Sequence, residues 1–207
     1  TRIAALRIIQ LFPKTTPAAE EPNIGMGAQS LCRGVLGTAP VESDGSVYCE
    51  APVGVPLYFQ AIDAQGRAVQ SMRSDAYLHA GETLTCRGCH EPKQDSPGTD
   101  ANRTPLAMRR APSAITPEVE GAYPVSYPRL VQPVLDRNCV ECHRREPKAP
   151  SLETKPADKY GWTESYQTLS KLAWAKHGGN GALARNETSR SIAGAVGARA
   201  SQLLPHL

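Results

Sequence analysis

Apolar and polar positions in the first seventy residues alternate in short runs bounded by turn formers, a pattern of strands rather than helices. Leu6 to Phe12 predicts a strand. Val41 to Cys49 places Asp44-Gly45 between two short β-prone runs, a hairpin signal. From Val55 to Ala61 the chain alternates with period two, which puts Val55, Leu57 and Phe59 on one side. Asp63-Ala64-Gln65-Gly66 turns the chain into a partner strand over Ala68 to Met72. Together these runs predict a small antiparallel sheet or sandwich.

Periodicity is lost between Pro92 and Pro128, where seven prolines alternate with small polar residues. That stretch predicts a linker or an extended wrap over the surface, with a boundary near residue 120. Helical spacing follows. Pro133 suits an early helical position, with Leu130, Val131, Val134 and Leu135 on one face, and this helix leads into Cys139. A second helix is expected from Thr163 to Lys176, with Trp162, Tyr166, Leu169 and Ala173 in one stripe and Gly178-Gly179 ending it. Ser201 is a good N-cap for Gln202-Leu203-Leu204, where the chain reads as cut a few residues into a helix. The expected fold class is α+β. A small antiparallel β domain (residues 1–120) precedes a loop-rich, mostly helical domain (residues 121–207).

Composition explains why a cofactor is needed. Of 207 residues, 40% are hydrophobic and only 5% aromatic, while 18 prolines and 17 glycines fragment the chain. A protein-only core would be thin, and a covalently held apolar cofactor would fill it. The net charge of +3 is too small and dispersed for a nucleic-acid partner. No apolar run is long enough to span a membrane, and no cleavage pattern follows the apolar residues of Thr1 to Phe12.

Four of the six cysteines fall in two identical frames, Cys86-Arg87-Gly88-Cys89-His90 and Cys139-Val140-Glu141-Cys142-His143. Two thiols separated by two residues can reach the two vinyl groups of one porphyrin, and the adjacent histidine then lies under the iron. At this cysteine and histidine content one chance match is expected about 0.004 times per chain, so two are not accidental. A four-thiolate zinc site is the main rival, but the pairs are some fifty residues apart and a histidine follows each. A thioredoxin-like pair lacks its βαβ context. The expected cofactors are two covalently bound haem c groups, with His90 and His143 as proximal ligands: one haem in the β domain and a second in the helical domain, which is then cytochrome c-like, their four propionates bringing the net charge to about −1. Such attachment occurs in the periplasm or outside the cell, where disulfides persist. A Cys32–Cys49 bridge is therefore expected, with two buried free thiols as the alternative.

The remaining histidines are His79, His177 and His206, each a candidate sixth ligand. His79 lies seven residues before Cys86 and can fold back over the first iron, with Met72 as its rival; Met26 and Met108 complete the sulfur candidates. His177, at a helix end, and His206 compete for the second iron. No convincing nucleophile or acid–base set accompanies the motifs. The primary reading is thus a dihaem c-type cytochrome that transfers electrons outside the cytoplasm to redox partner proteins. The alternative is a catalytic dihaem subunit, for instance peroxidase-like, or a haem-bearing subunit assembled with other haem chains.

Several segments resemble one family. Val35-Leu36-Gly37-Thr38-Ala39-Pro40-Val41-Glu42, Tyr58-Phe59-Gln60-Ala61-Ile62-Asp63, and Ala68 to Ser74 leading to Gly81-Glu82 and Cys86 to Glu91 are similar to the middle domain of hydrazine synthase alpha-subunit-like proteins. Val131 to Arg137 before Cys139, and Gly197-Ala198-Arg199-Ala200-Ser201, resemble that family's second haem domain and tail. The resemblance implies a catalytic first haem in the hydrazine-forming enzyme. There a tyrosine four positions after the motif histidine binds iron and that histidine serves zinc. The corresponding position here is Gln94, which implies that His90 is an ordinary proximal ligand.

Overall fold

The computed structural model describes residues 2–13, 15, 32–72, 74–88, 98, 103–172, 193–195 and 197–207. Four strands, β1 (Ala5–Phe12), β2 (Cys32–Pro40), β3 (Leu57–Ile62) and β4 (Ala68–Ser71), form an antiparallel sheet in the order β2-β1-β3-β4. The period-two pattern sorts its side chains onto two faces. Ile8, Ala39 and Leu57 are buried on one, with Val55 and Phe59 packed against them, as the alternation from Val55 predicts. Ile9, Leu11 and Tyr58 are buried on the other, beside Val35 and Met72.

The sequence pattern does not show β2, because Gly34 and Gly37 interrupt its apolar run. Both glycines are required by what lies beside the strand. A Cβ at Gly34 would collide with the Tyr123 ring, and one at Gly37 (φ +141°) with the Thr116 carbonyl. The polypeptide after residue 112 runs along this edge as the expected wrap. Thr38 and Thr116 exchange both backbone hydrogen bonds (2.8 and 2.9 Å), Val35 N–H donates to Ala122 O (2.9 Å) and Val125 N–H to Arg33 O (2.7 Å). An edge strand is thereby covered.

The Asp44-Gly45 signal yields a turn but no hairpin of strands. Gly45 N–H donates to Glu42 O and Glu42 N–H to Ser46 O (2.9 Å each), yet β2 stops at Pro40 and Cys49 bridges instead to Ser113. The turn belongs to the wrap: Asp44 accepts from Leu106 N–H (2.9 Å), at the start of the 3-10 turn Leu106–Arg109.

Helices α1 (Tyr127–Leu130), α2 (Gln132–Asn138), α3 (Val140–Arg145) and α4 (Glu164–Ser170) follow. The expected single face from Leu130 to Leu135 is not formed. The helix breaks at Val131, which shifts the phase, so Leu135 is buried while Val131 and Val134 are 36% and 52% exposed. Leu135, Val140 and Leu152 make the core of this part, with Tyr127, Cys139 and Leu169 against it. The helix expected from Thr163 starts there: the Thr163 hydroxyl accepts from Tyr166 N–H (3.2 Å), and Leu169 lies in the core. It ends at Ser170, with Lys171 as its C-cap, rather than running to Lys176, and residues 173–176 lie outside the described residues. The Ser201 hydroxyl accepts from Leu203 N–H (3.2 Å), but no helix starts at Gln202: Ser201 closes the 3-10 turn Ala198–Ala200, and a second short 3-10 turn, Leu204–His206, begins after Leu203.

Candidate haem attachment sites

The second motif is built by the junction of α2 and α3. Cys139 closes α2 through its N–H to Leu135 O (2.8 Å) and starts α3 by accepting from His143 N–H (3.1 Å). Cys139 and Cys142 are three residues apart across one helical turn, so both thiols share a side of α3. Cys139 is half-buried against the Leu135 core and Cys142 is exposed.

His143 follows, half-buried, with its Nδ1 2.9 Å from the Pro150 carbonyl oxygen. A carbonyl only accepts, so Nδ1 carries the proton and Nε2 keeps its lone pair. A histidine whose outer nitrogen is fixed by a carbonyl is oriented to ligate a metal through the inner one. Residues Cys139, Cys142 and His143 thus fit a c-type haem in spacing, exposure and tautomer.

The loop that supplies Pro150 is held by charge and by a buried polar network. Arg144 donates to both Glu141 (3.2 Å) and Glu153 (3.0 Å). Hydrogen bonds from Lys155 and Arg144 hold the Glu153 carboxyl below its usual range. Gln132, 3% exposed, donates to Leu152 O (3.0 Å) and Asp136 (2.8 Å) and accepts from Ser165, which is fully buried. Sequence reasoning missed Gln132. Its signal was spacing: it lies three residues before Leu135 and so shares the buried face.

Of the first motif, Cys86 is described and exposed, at the end of an exposed segment from Glu82. Cys89 and His90 lie outside the described residues, as do Gln94, Met26 and His177. His79 is exposed, with its ring 5.4 Å edge-on from Tyr77 and its N–H donating to Glu82 (2.8 Å). Met72 is committed elsewhere: its sulfur accepts from Phe59 N–H (3.2 Å) and packs beneath Tyr58 and Ile9. Met108 is exposed. His206 is exposed in the final turn.

The expected Cys32–Cys49 bridge is not made; both are free thiols. Cys32 opens β2 opposite Phe12, whereas Cys49 pairs with Ser113, three residues from the Thr116 that pairs with Thr38. Cys32 is exposed, while Cys49 packs against the Ile8, Ala39 and Leu57 core. Burial pushes the Cys49 thiol pKa up. Among the described residues no group of three or more His, Cys, Asp and Glu side chains could hold a metal ion, so Cys86, Cys139 and Cys142 are not gathered at one thiolate centre.

Residues 1–91 match the family of the hydrazine synthase alpha subunit middle domain. Hydrazine synthase subunit alpha of Kuenenia stuttgartiensis is 34% identical over 102 residues, which are 42% of this chain and 13% of that protein. The solved structure of Kuenenia stuttgartiensis hydrazine synthase superposes with a TM-score of 0.51 at 22% identity, covering 81% of this chain and 29% of the matched chain. At that identity the structural likeness speaks for the fold alone. The chain therefore spans a minor part of each protein it resembles.

Proposed function

Because the chain is hydrazine synthase alpha-like, we propose that it is the haem-bearing part of a hydrazine synthase-like subunit. It works outside the cytoplasm, in contact with other chains. Two haem c groups attach through Cys86 and Cys89 and through Cys139 and Cys142, with His90 and His143 as proximal ligands. The observation that carries this reading is the His143 ring, whose Nδ1 is fixed on Pro150 O so that Nε2 is left to ligate. Exposed Val131 and Val134, just ahead of Cys139, supply apolar surface that a porphyrin edge would cover. Bound haem supplies one-electron chemistry. The residues of α2 and α3 fix its position and orient its ligand.

In this proposal one haem is the reactive one and the other relays electrons. A free-standing electron carrier is the weaker reading, since only the motifs speak for it and the family likeness points to a subunit. The deciding experiment joins the mass of the denatured chain to its oxidised and reduced spectra. Two retained macrocycles, one high-spin haem that binds cyanide and one low-spin haem are expected. Two inert low-spin haems would return the electron-carrier reading, and a mass without macrocycles would end both. Among the described residues no helix is long and apolar enough to cross a membrane.

A further inference from the structure

We propose that Tyr127, Tyr166, Trp162 and Tyr160 form an electron relay between the core around Cys139 and the protein surface, which discharges at Tyr160 the strongly oxidising equivalents that arise at the dihaem centre. The inner end of the relay rests on the dihaem reading above; the relay itself rests on the four rings.

The rings follow one another in contact. Tyr127 and Tyr166 have centroids 5.1 Å apart at 84°, Tyr166 and Trp162 5.2 Å at 68°, and Trp162 and Tyr160 6.0 Å at 41°. The chain has only eleven aromatic residues, and these four are all oxidisable; neither phenylalanine is among them. Local structure fixes their order. Trp162 and Tyr166 stand four residues apart, on either side of the Thr163 cap that starts α4. Asp158 ties the loop before them, accepting from Tyr160 N–H (2.9 Å) and Trp162 N–H (3.2 Å) on one oxygen and from the Gln167 amide (2.8 Å) on the other. Tyr127 opens α1 and packs against Leu135, Val140 and Leu152, the cluster that Cys139 also packs against. Val140 belongs to the attachment motif itself.

The two ends differ in what can happen to a proton. A phenol that loses an electron becomes a strong acid, so tyrosine is oxidised most easily where its proton can leave. The Tyr127 hydroxyl is shut away from solvent and burial pushes its pKa up, whereas Tyr160 is 41% exposed. An indole gives up an electron without first releasing a proton, which suits Trp162 to the middle. The electron vacancy therefore runs outward. The oxidant is a peroxide: hydrogen peroxide takes two electrons and two protons to become two waters, and leaves the dihaem centre two electrons short. Each passage moves one electron inward from Tyr160, whose phenolic proton goes to water. An ascorbate-class donor then returns one electron to Tyr160 and solvent returns one proton, so two passages restore the centre.

The test uses the full haem-loaded chain in its ferric state. In a Trp174→Phe background, where Trp162 is the one indole, azide radicals from pulse radiolysis take an electron from Trp162 and become azide. Tryptophanyl absorption should then decay into tyrosyl absorption at a rate independent of protein concentration. Tyr160→Phe with Tyr166→Phe keeps both rings and should abolish that transfer; an unchanged rate would overturn the relay. Hydrogen peroxide added with a nitroso spin trap should place the trap on Tyr160, read by peptide mass. Trp162→Phe should lose that adduct and bleach the haems faster. An adduct that persists in Trp162→Phe, or none in the unaltered chain, would overturn the route from the haems. A haemochrome assay showing no haem on Cys139 and Cys142 would bring down the dihaem reading and the inner end of the relay, while the radiolysis result would still decide the transfer among the rings.

Discussion

His143 and Pro150 are joined by a ring nitrogen and a carbonyl oxygen 2.9 Å apart, and that contact determines which imidazole nitrogen is free. Seven residues separate them, so α3 and the loop after it must hold a fixed spacing. If Nε2 of His143 ligates iron, His143→Ala removes the ligand but neither thiol. The expected outcome is a mass that still includes two macrocycles and a large spectral change in one haem, whose potential falls outside its former range. Cys139→Ala together with Cys142→Ala should instead lose one macrocycle from the mass. If His143→Ala left both haem spectra untouched, this histidine would not be a ligand.

Gln132 is the buried polar residue on which that loop depends. It bridges Leu152 O, Asp136 and Ser165 from the first turn of α2. Gln132→Leu keeps the volume but leaves the Leu152 carbonyl and the Ser165 hydroxyl short of a partner inside the core. A loss of about 2 kcal/mol is expected, from desolvated groups left unpaired. Urea unfolding of the full chain measures it, and an unchanged midpoint would mean that water replaces the amide.

How much of this was legible beforehand depended on the range of the interaction. β1, β3 and β4 follow from alternation, and the start of α4 from a capping threonine, because each signal lies within one element. The attachment motifs are likewise local, and a five-residue frame carries its own chemistry. β2 was not legible because Gly34 and Gly37 answer to Tyr123 and Thr116, some eighty residues away. The burial of Gln132 had a local signal in its spacing from Leu135, but its partners Leu152 and Ser165 lie 20 and 33 residues further on. The expected disulfide came from a count of leftover cysteines. Both thiols are free in the structure, Cys32 exposed and Cys49 half-buried, since counting conveys no distance.

The two leftover thiols differ in environment, which gives a direct check on that finding. Cys32 is exposed and Cys49 is half-buried against the Ile8 core, with its pKa raised by burial. Without reductant, iodoacetamide should label Cys32 in the native protein and Cys49 only after unfolding. A chain that takes no label at either position until reduced would carry the bridge after all.

Acid should loosen the wrap through Asp44. Its carboxylate accepts from Leu106 N–H (2.9 Å) and from the hydroxyl (2.6 Å) and N–H (3.1 Å) of Ser46, which together hold its pKa at about 2 against an ordinary 3.8. Ser46 in turn accepts from Ala107 N–H (3.0 Å), and Arg110 pairs with Glu42 (2.8 Å), so one turn anchors the start of the wrap. The folded value lies below the unfolded one, so between the two the unfolded chain binds more protons. The contribution is complete above pH 4 and is lost as pH falls toward 2. Asp44→Asn removes the charge at every pH. Its melting temperature should lie below that of the unaltered chain at pH 6, and the gap should close as both are acidified through that window. Asp63, also held low, remains in both proteins and sets the slope they share. Parallel curves from pH 6 down to pH 2 would show that the Leu106 and Ser46 hydrogen bonds do not favour the charged form, and the anchor would then rest on Arg110 alone.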